Sequence, residues 1–544
     1  YKAKIPLKAF IAQLATGEGK SIVISMLAVF LVKLHGMKVH VLENNAGLLE
    51  RDLRTQKPFY ERFGIKAGSN LNDPELAINY CLKAEINKAF LRKLVAGTLD
   101  EELKGTILLV DEVDDLIVNE RPNNHYVRED SDRTPDLKSS FDVLKKNVNG
   151  AKPGSVADDV WAQALRDVKY VNAAQADGRC VKDKHYRIVM EKLRSGGERQ
   201  KCVMLDDSGN VPKVALTSPW LQYVNYKECN IPPLSETRYA CVCTPYIFNK
   251  YAGIFGLTGS VGGKAELKYL TSTYHAVKFD VPRFLDTCVG NARKEVKNHG
   301  VEVVKDDDAL VKRVVQLAVQ YYKKVPVLII ASSGKELTTL HRACQDAAKE
   351  HGDAAMPKGE VQRFSQFDEN GRSMRAQWQT IIDDATKRLG GVDDNRCRVT
   401  VTDRFGGRGH DFQVSDKESN ANGGMLVIAT SIPDEREWIQ WKGRTARQDR
   451  PGQFYVVLSE KGAPFDEPKH KKLLAKIKDR GVGDDTKIEE LLDVADDGIG
   501  ERLKQFEGEQ AIGEKLNELT EKYYKQYPRK WEDPWPLPAN RKTD

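Results

Sequence analysis

The sequence predicts an α/β protein with two parallel-sheet units, an α+β domain inserted into the first, and a C-terminal helical tail. Three observations carry this. Short β-branched runs alternate with longer helical stretches, the pattern of βα units around parallel sheets. The alternation lapses in a polar interval between about residues 121 and 239, then resumes. Near residue 479 it gives way to charged amphipathic segments. A length of 544 residues also exceeds what one hydrophobic core supports. The expected division is 1–120 and 240–285 for the first α/β domain, 121–239 for the insertion, 286–478 for the second α/β domain and 479–544 for the helical extension.

Six brief apolar runs are the expected core strands: Lys38–Leu42, Thr106–Val110, Val325–Ala331, Arg398–Thr402, Met425–Thr430 and Phe454–Leu458. Each is short and apolar, as a strand covered on both faces must be. The longest apolar stretch, Ile22 to Leu34, is too short to span a bilayer and predicts a buried helix. The polar interval carries loop signals at Asn149–Gly154 and Ser195–Gly197. Between them a helix is predicted from about Ser155, with Val160, Trp161, Leu165 and Val168 on one face. In the tail, Ile488, Leu491, Leu492, Ile499, Leu503, Phe506, Ile512, Leu516 and Leu519 recur at roughly helical spacing, and Trp531–Pro538 reads as extended.

Composition excludes several function classes. The formal charge of +6, from 85 basic and 79 acidic side chains, is spread along the chain rather than gathered as in a strong polyanion reader. Nine cysteines include no CxxC pair, which argues for reduced thiols in a soluble reducing compartment, cytoplasmic or organellar, and against a zinc site. The first residue is Tyr1 and a motif follows almost at once, so the chain is expected to be part of a longer protein.

Five motifs carry chemistry. Ala15–Ser21 (ATGEGKS) precedes a helix; its glycines let backbone N–H groups close around phosphate oxygens, aided by the helix dipole. Thr16, Gly17, Glu18 and Gly19 form the loop, Lys20 reaches the β- and γ-phosphates of ATP, and Ser21 ligates Mg²⁺. Leu14 breaks the strict GxxxxGK[ST] pattern and leaves the TGxGK[ST] variant of helicase-type motors. Ile107–Asp114 (ILLVDEVD) is an apolar strand ending in acids: Asp111 to hold Mg²⁺, Glu112 to orient and deprotonate the attacking water. Gln440–Arg447 (QWKGRTAR) fits QxxGRxxR, with Gln440 as a nucleotide contact and Arg444 and Arg447 three apart on one helix face, aimed at the transferred phosphate. Asp403–Asp411 (DRFGGRGHD) is a Gly-rich turn after a strand, placing Asp411 to bond a ribose or hold an arginine. Gly256–Ser260 (GLTGS) is by itself equally a β-turn. Singly, the others are compatible with a chance Gly-rich turn, an acidic loop or a solvated basic helix. Their order argues otherwise: phosphate loop and acids lie in the first α/β unit and the arginines in the second. The expectation is two RecA-like domains sharing one ATP.

Several segments resemble the SecA family over nearly the whole chain to about residue 460. Asp111–Asp115 (DEVDD) is similar to the family's DEVDS, and Val39–Asp52 (VHVLENNAGLLERD) to its VHVVTVNDYLAxRD. Gly256–Ser260 resembles GMTGT, and Gly406–Asp411 resembles AGRGTD, with His410 in place of Thr. Asn119 stands where the family has an acid. The resemblance implies that Gly17, Glu18, Gly19, Lys20, Ser21 and Asp411 contact nucleotide, and that the insertion corresponds to the polypeptide-crosslinking domain. It also implies gripping of an extended chain by movement of that insertion against the second α/β domain. Only about 100 residues follow Arg447, too few for the family's long scaffold helix, wing and zinc tail together. The expected function is thus an ATP-hydrolysing motor or switch acting on polypeptide or a protein partner. A superfamily 2 nucleic acid helicase and a nucleotide-binding scaffold without turnover are the alternatives.

Overall fold

The computed structural model describes residues 9–530 except 16–17, 45, 100–102, 116–120, 130–131, 194–195, 206–210, 212–218, 283–295, 351–360, 390–395, 408–409, 411, 446–449 and 485. Two compact units emerge: residues 1–128, 236–291 and 496–544 form unit 1, and residues 129–235 and 292–495 form unit 2. The stretch Trp531–Pro538 lies outside the described residues.

Unit 1 is built on a seven-stranded sheet. Its strands are β1 (Ala9–Gln13), β2 (Lys38–Leu42), β3 (Ala67–Gly68), β4 (Ile78–Cys81), β5 (Thr106–Asp111), β10 (Gly253–Thr258) and β11 (Ala276–Asp280), in the order β11-β1-β10-β5-β2-β4-β3. Every pairing is parallel. Val39, Val41, Leu108, Leu109 and Val110 are fully buried, as the central strands of a two-faced sheet require. Between β5 and β10 the chain leaves through β6 (Asn123–Glu129) and returns through β9 (Glu236–Cys243), which pair with each other.

Unit 2 holds a six-stranded sheet of β12 (Lys297–Val304), β13 (Val327–Ile330), β14 (Val361–Phe364), β17 (Val399–Thr402), β18 (Leu426–Ala429) and β19 (Gln453–Ser459). Its order is β12-β19-β18-β13-β17-β14, again parallel throughout. β15 (Arg388–Leu389) and β16 (Arg396–Cys397) form a small antiparallel pair. The chain is therefore an α/β protein with two RecA-like parallel sheets. Unit 2 also contains the inserted segment: helices Thr134–Lys146, Asp158–Ala176 and Pro219–Cys229 around a hairpin of β7 (Tyr186–Lys192) and β8 (Glu198–Met204). The hairpin meets the 366–374 loop. Met190 N donates to Gly371 O (2.9 Å), Arg372 reaches Glu198 (3.4 Å), and Val211 and Gln366 exchange two hydrogen bonds of 2.8 and 3.2 Å.

Three sequence expectations change. The helix α1 (Lys20–His35) buries Ile24, Ala28, Val29 and Leu31, but Ile22, Val23, Met26, Phe30 and Leu34 stand exposed, Leu34 at 70%. Hydropathy measures how apolar a helix is, not how many of its faces meet a sheet. Gly256 is no turn residue: it lies inside β10 beside β5, where a Cβ would stand 2.7 Å from Val113. The amphipathic tail segments join into one 41-residue helix, Thr486–Gln526, whose Ile499, Leu503 and Phe506 enter the unit 1 core while Ile512, Leu516 and Leu519 are exposed. Cys202 and Cys229, 27 positions apart, lie with sulfurs 3.4 Å from each other. No described helix is long and apolar enough to cross a membrane.

Candidate functional site

In unit 1 the phosphate-loop segment follows β1, the acids follow β5, the Thr258–Ser260 turn follows β10, and Glu43 follows β2. These strands are neighbours, so their carboxyl ends converge, the place where open parallel sheets bind ligands. Register fixes the level: Leu42 lies opposite Val110 and Leu257 opposite Asp111.

The loop before α1 turns on Gly19, whose φ of 81° is left-handed backbone that glycine adopts without strain. α1 therefore begins at Lys20, with Ser21 in its first turn. Lys20 Nζ sits 3.3 Å from Glu112 Oε1, both side chains largely buried. Ser21 Oγ donates to Asp52 Oδ2 at 3.3 Å, and Asp52 is also held by Arg51 Nε at 2.6 Å; both belong to the helix α2 (Ala46–Arg62). Glu112 is held at φ 48°, an uncommon left-handed conformation for a residue with a side chain. Asp114, two residues on, accepts from the Thr258 hydroxyl, and Asn44 donates to Asp115. The GLTGS segment thus serves to fasten the acidic motif.

Electrostatics here are strained. Asp111 is 8% exposed and Glu43 2%, and among the described residues neither Asp111 Oδ1 nor Glu43 Oε2 has a hydrogen-bond partner. Burial, with the Glu112 charge second, pushes Asp111 up to about 7. Burial, then the charges of Asp111 and Asp52, lifts Glu43 well above the usual carboxylate range. Such perturbation is characteristic of sites prepared for a ligand.

Of the sequence-predicted residues, Glu18, Gly19, Lys20, Ser21, Asp111 and Glu112 come together in unit 1. Thr16 and Gly17 lie outside the described residues, as do Asp411 and Arg447. Gln440 and Arg444 belong to unit 2 and are buried. Arg444 Nε donates to Gly407 O (2.9 Å), Nη1 to His410 O, and Nη2 to Gln440 Oε1 (3.4 Å). In this conformation Arg444 braces the Gly-rich turn. His410 packs edge-on against Phe364 and Phe405, with ring centroids 4.8 and 4.7 Å away. Sequence reasoning missed Glu43 and Asp52; the available signal was an acid directly after an apolar strand that neighbours the acidic motif.

Residues 4–268 match the family model of the SecA DEAD-like domain. The protein translocase subunit SecA of Helicobacter hepaticus is 24% identical over 493 residues, covering 83% of this chain and 53% of its own length. That of Clostridium tetani is 24% identical over 537 residues, 92% and 59% respectively. SecA 2 of Nitrosospira multiformis is 24% identical over 521 residues, 84% and 71%. The chain thus spans between half and three fifths of the first two relatives. Among solved structures, S. cerevisiae Dbp5 bound to RNA and ADP BeF3 covers 92% of this chain and 90% of its own at 11% identity and a TM-score of 0.42, a likeness too distant to inform the site. The chain is thus similar to SecA: the family model matches residues 4–268, and the translocase relatives share 24% identity over most of the chain.

Proposed function

We propose that the chain is an ATP-binding and ATP-hydrolysing motor or switch that acts on polypeptide or on a protein partner. The observation that carries it is the Lys20–Glu112 pair, which joins two motifs far apart in sequence at one strand edge. Phosphate entering the loop competes for Lys20. Releasing Glu112 then leaves a carboxylate placed to orient and deprotonate water. Ser21 and Asp111 fit a Mg²⁺ ion: a hydroxyl and a buried carboxylate oxygen without a partner among the described residues are hard donors of the right kind. The ion supplies charge neutralisation on the phosphate oxygens. Gln440, Asp411 and Arg447 keep the nucleotide roles their motifs suggest. Arg444 must first exchange Gly407, His410 and Gln440 for a phosphate.

Polypeptide is favoured over nucleic acid by how the insertion disposes of its charge. Lys201 and Arg199 are paired with Glu191 (2.8 and 2.7 Å), and Arg133 with Asp159. Lys145 lies 5.0 Å from the Tyr226 ring centre. Among the described residues these basic groups already have partners on the protein, whereas a phosphate-backbone groove needs them presented to the ligand. The SecA relatives are named protein translocase subunits, in keeping with this. The deciding experiment is ATPase activity measured alone, with unfolded polypeptide and with single-stranded RNA. Stimulation by polypeptide above that by RNA is expected; salt-sensitive RNA stimulation with no response to polypeptide sinks the reading.

A further inference from the structure

We propose that Glu43, Asp52 and Asp111 form a divalent-cation site that takes up Mg²⁺ or Mn²⁺ before nucleotide arrives. One carboxylate oxygen from each lies within 4.8 Å of the others, and the residues are 2%, 6% and 8% exposed. Metal–oxygen bonds of about 2.0–2.6 Å let one small ion, with its waters, bridge oxygens at that separation. The donors are all oxygens, which selects a hard cation over zinc or copper.

One observation besides proximity points to a ligand. Glu43 Oε2 and Asp111 Oδ1 are buried and have no partner among the described residues, although a buried carboxylate left unsatisfied is costly. Glu43 is the residue that sets this cleft apart: it follows β2 directly, level with Asp111 on the neighbouring strand. Asp52 ties the cluster to the phosphate loop through its bond from Ser21. An ion held there waits beside the serine that meets the phosphates, so ATP joins a loaded site instead of carrying its ion in. That consequence rests on the nucleotide reading above; the ion site itself does not.

The test uses nucleotide-free protein and follows free Mn²⁺ by its EPR signal. One Mn²⁺ per chain is expected, displaced by Mg²⁺, with affinity at least about tenfold weaker in Glu43→Gln and Asp52→Asn. Thermal melting gives a second reading. Glu43→Gln keeps the side chain's shape and removes a buried acid from among other acids, so it melts no lower than the parent without metal, but loses the upward shift that Mg²⁺ gives the parent. The proposal is overturned if the parent retains no Mn²⁺, or if both variants bind it as tightly as the parent. A fluorescent ATP analogue titrated in EDTA reports the nucleotide site separately: analogue binding without Mn²⁺ retention removes the ion site and leaves the nucleotide reading standing.

Discussion

The two sheets end their strands in opposite ways. In unit 1 the carboxyl edge gathers two acids, Asp111 and Glu43, each with an oxygen that has no partner among the described residues, beside a lysine and a serine. In unit 2 the described part of the corresponding Gly-rich turn is held from within: Arg444 donates to Gly407 O, His410 O and Gln440 Oε1, and aromatic rings enclose His410, although Trp441 Nε1 beside Gly407 has no partner among the described residues. Carboxylate oxygens without a partner among the described residues at one edge, and an arginine committed to the turn's own carbonyls at the other, separate a place that awaits a ligand from one that holds its own shape. Each prediction below strains that contrast at a different point.

The largest effect belongs to the unit 1 edge. Lys20→Ala should lower ATP hydrolysis by orders of magnitude and weaken nucleotide binding, because the cation facing the phosphates is gone. Parent-level turnover in this variant would remove the loop from the chemistry. Next comes Glu112→Gln, expected to bind ATP while turnover falls by about 10²–10⁴. Loss of nucleotide binding there would make Glu112 a structural residue.

On the unit 2 edge the expected response is in stability. Arg444→Gln strips buried carbonyls of their donor and should cost about 2–4 kcal/mol, read by denaturant unfolding. Unchanged stability with lost ATPase would instead assign Arg444 to the phosphate and erase the contrast. Gly256→Ala crowds Val113 at 2.7 Å and should destabilise unit 1 by about 1–3 kcal/mol, loosening the acidic motif that follows. A neutral result would mean that β10 and the acidic turn are less tightly coupled than their packing implies. The smallest is Gln366→Ala, which removes both bonds to Val211 for about 1–2 kcal/mol. Its readout is faster amide exchange in the β7–β8 hairpin; unaltered exchange would show that other contacts hold the insertion.

The sequence made visible whatever was coded by local pattern. All six expected core strands are present, within a residue or two of their expected ends, because β-branched runs buried on both faces have little else to become. β10 was harder: Gly253 and Gly256 dilute its strand signal, and only packing against Val113 explains them. Lys20, Ser21, Asp111 and Glu112 were legible as motifs. Glu43 and Asp52 were not, since their importance lies in meeting Asp111 across strand and helix, a fact of register and not of spacing. The apolar stripe on α1 was misread for a similar reason: no window along a chain reports which faces acquire neighbours.

Glu112 has one further consequence. A side chain at φ 48° costs its backbone about 1–2 kcal/mol, a strain that glycine would not feel. Glu112→Gly would relieve the folded chain, offset in part by the added freedom of the unfolded one, and would delete the carboxylate facing Lys20. A library selected only for heat resistance should therefore drift toward glycine here, and one selected for turnover should hold the acid. Thermostability engineering and activity pull this one position in opposite directions.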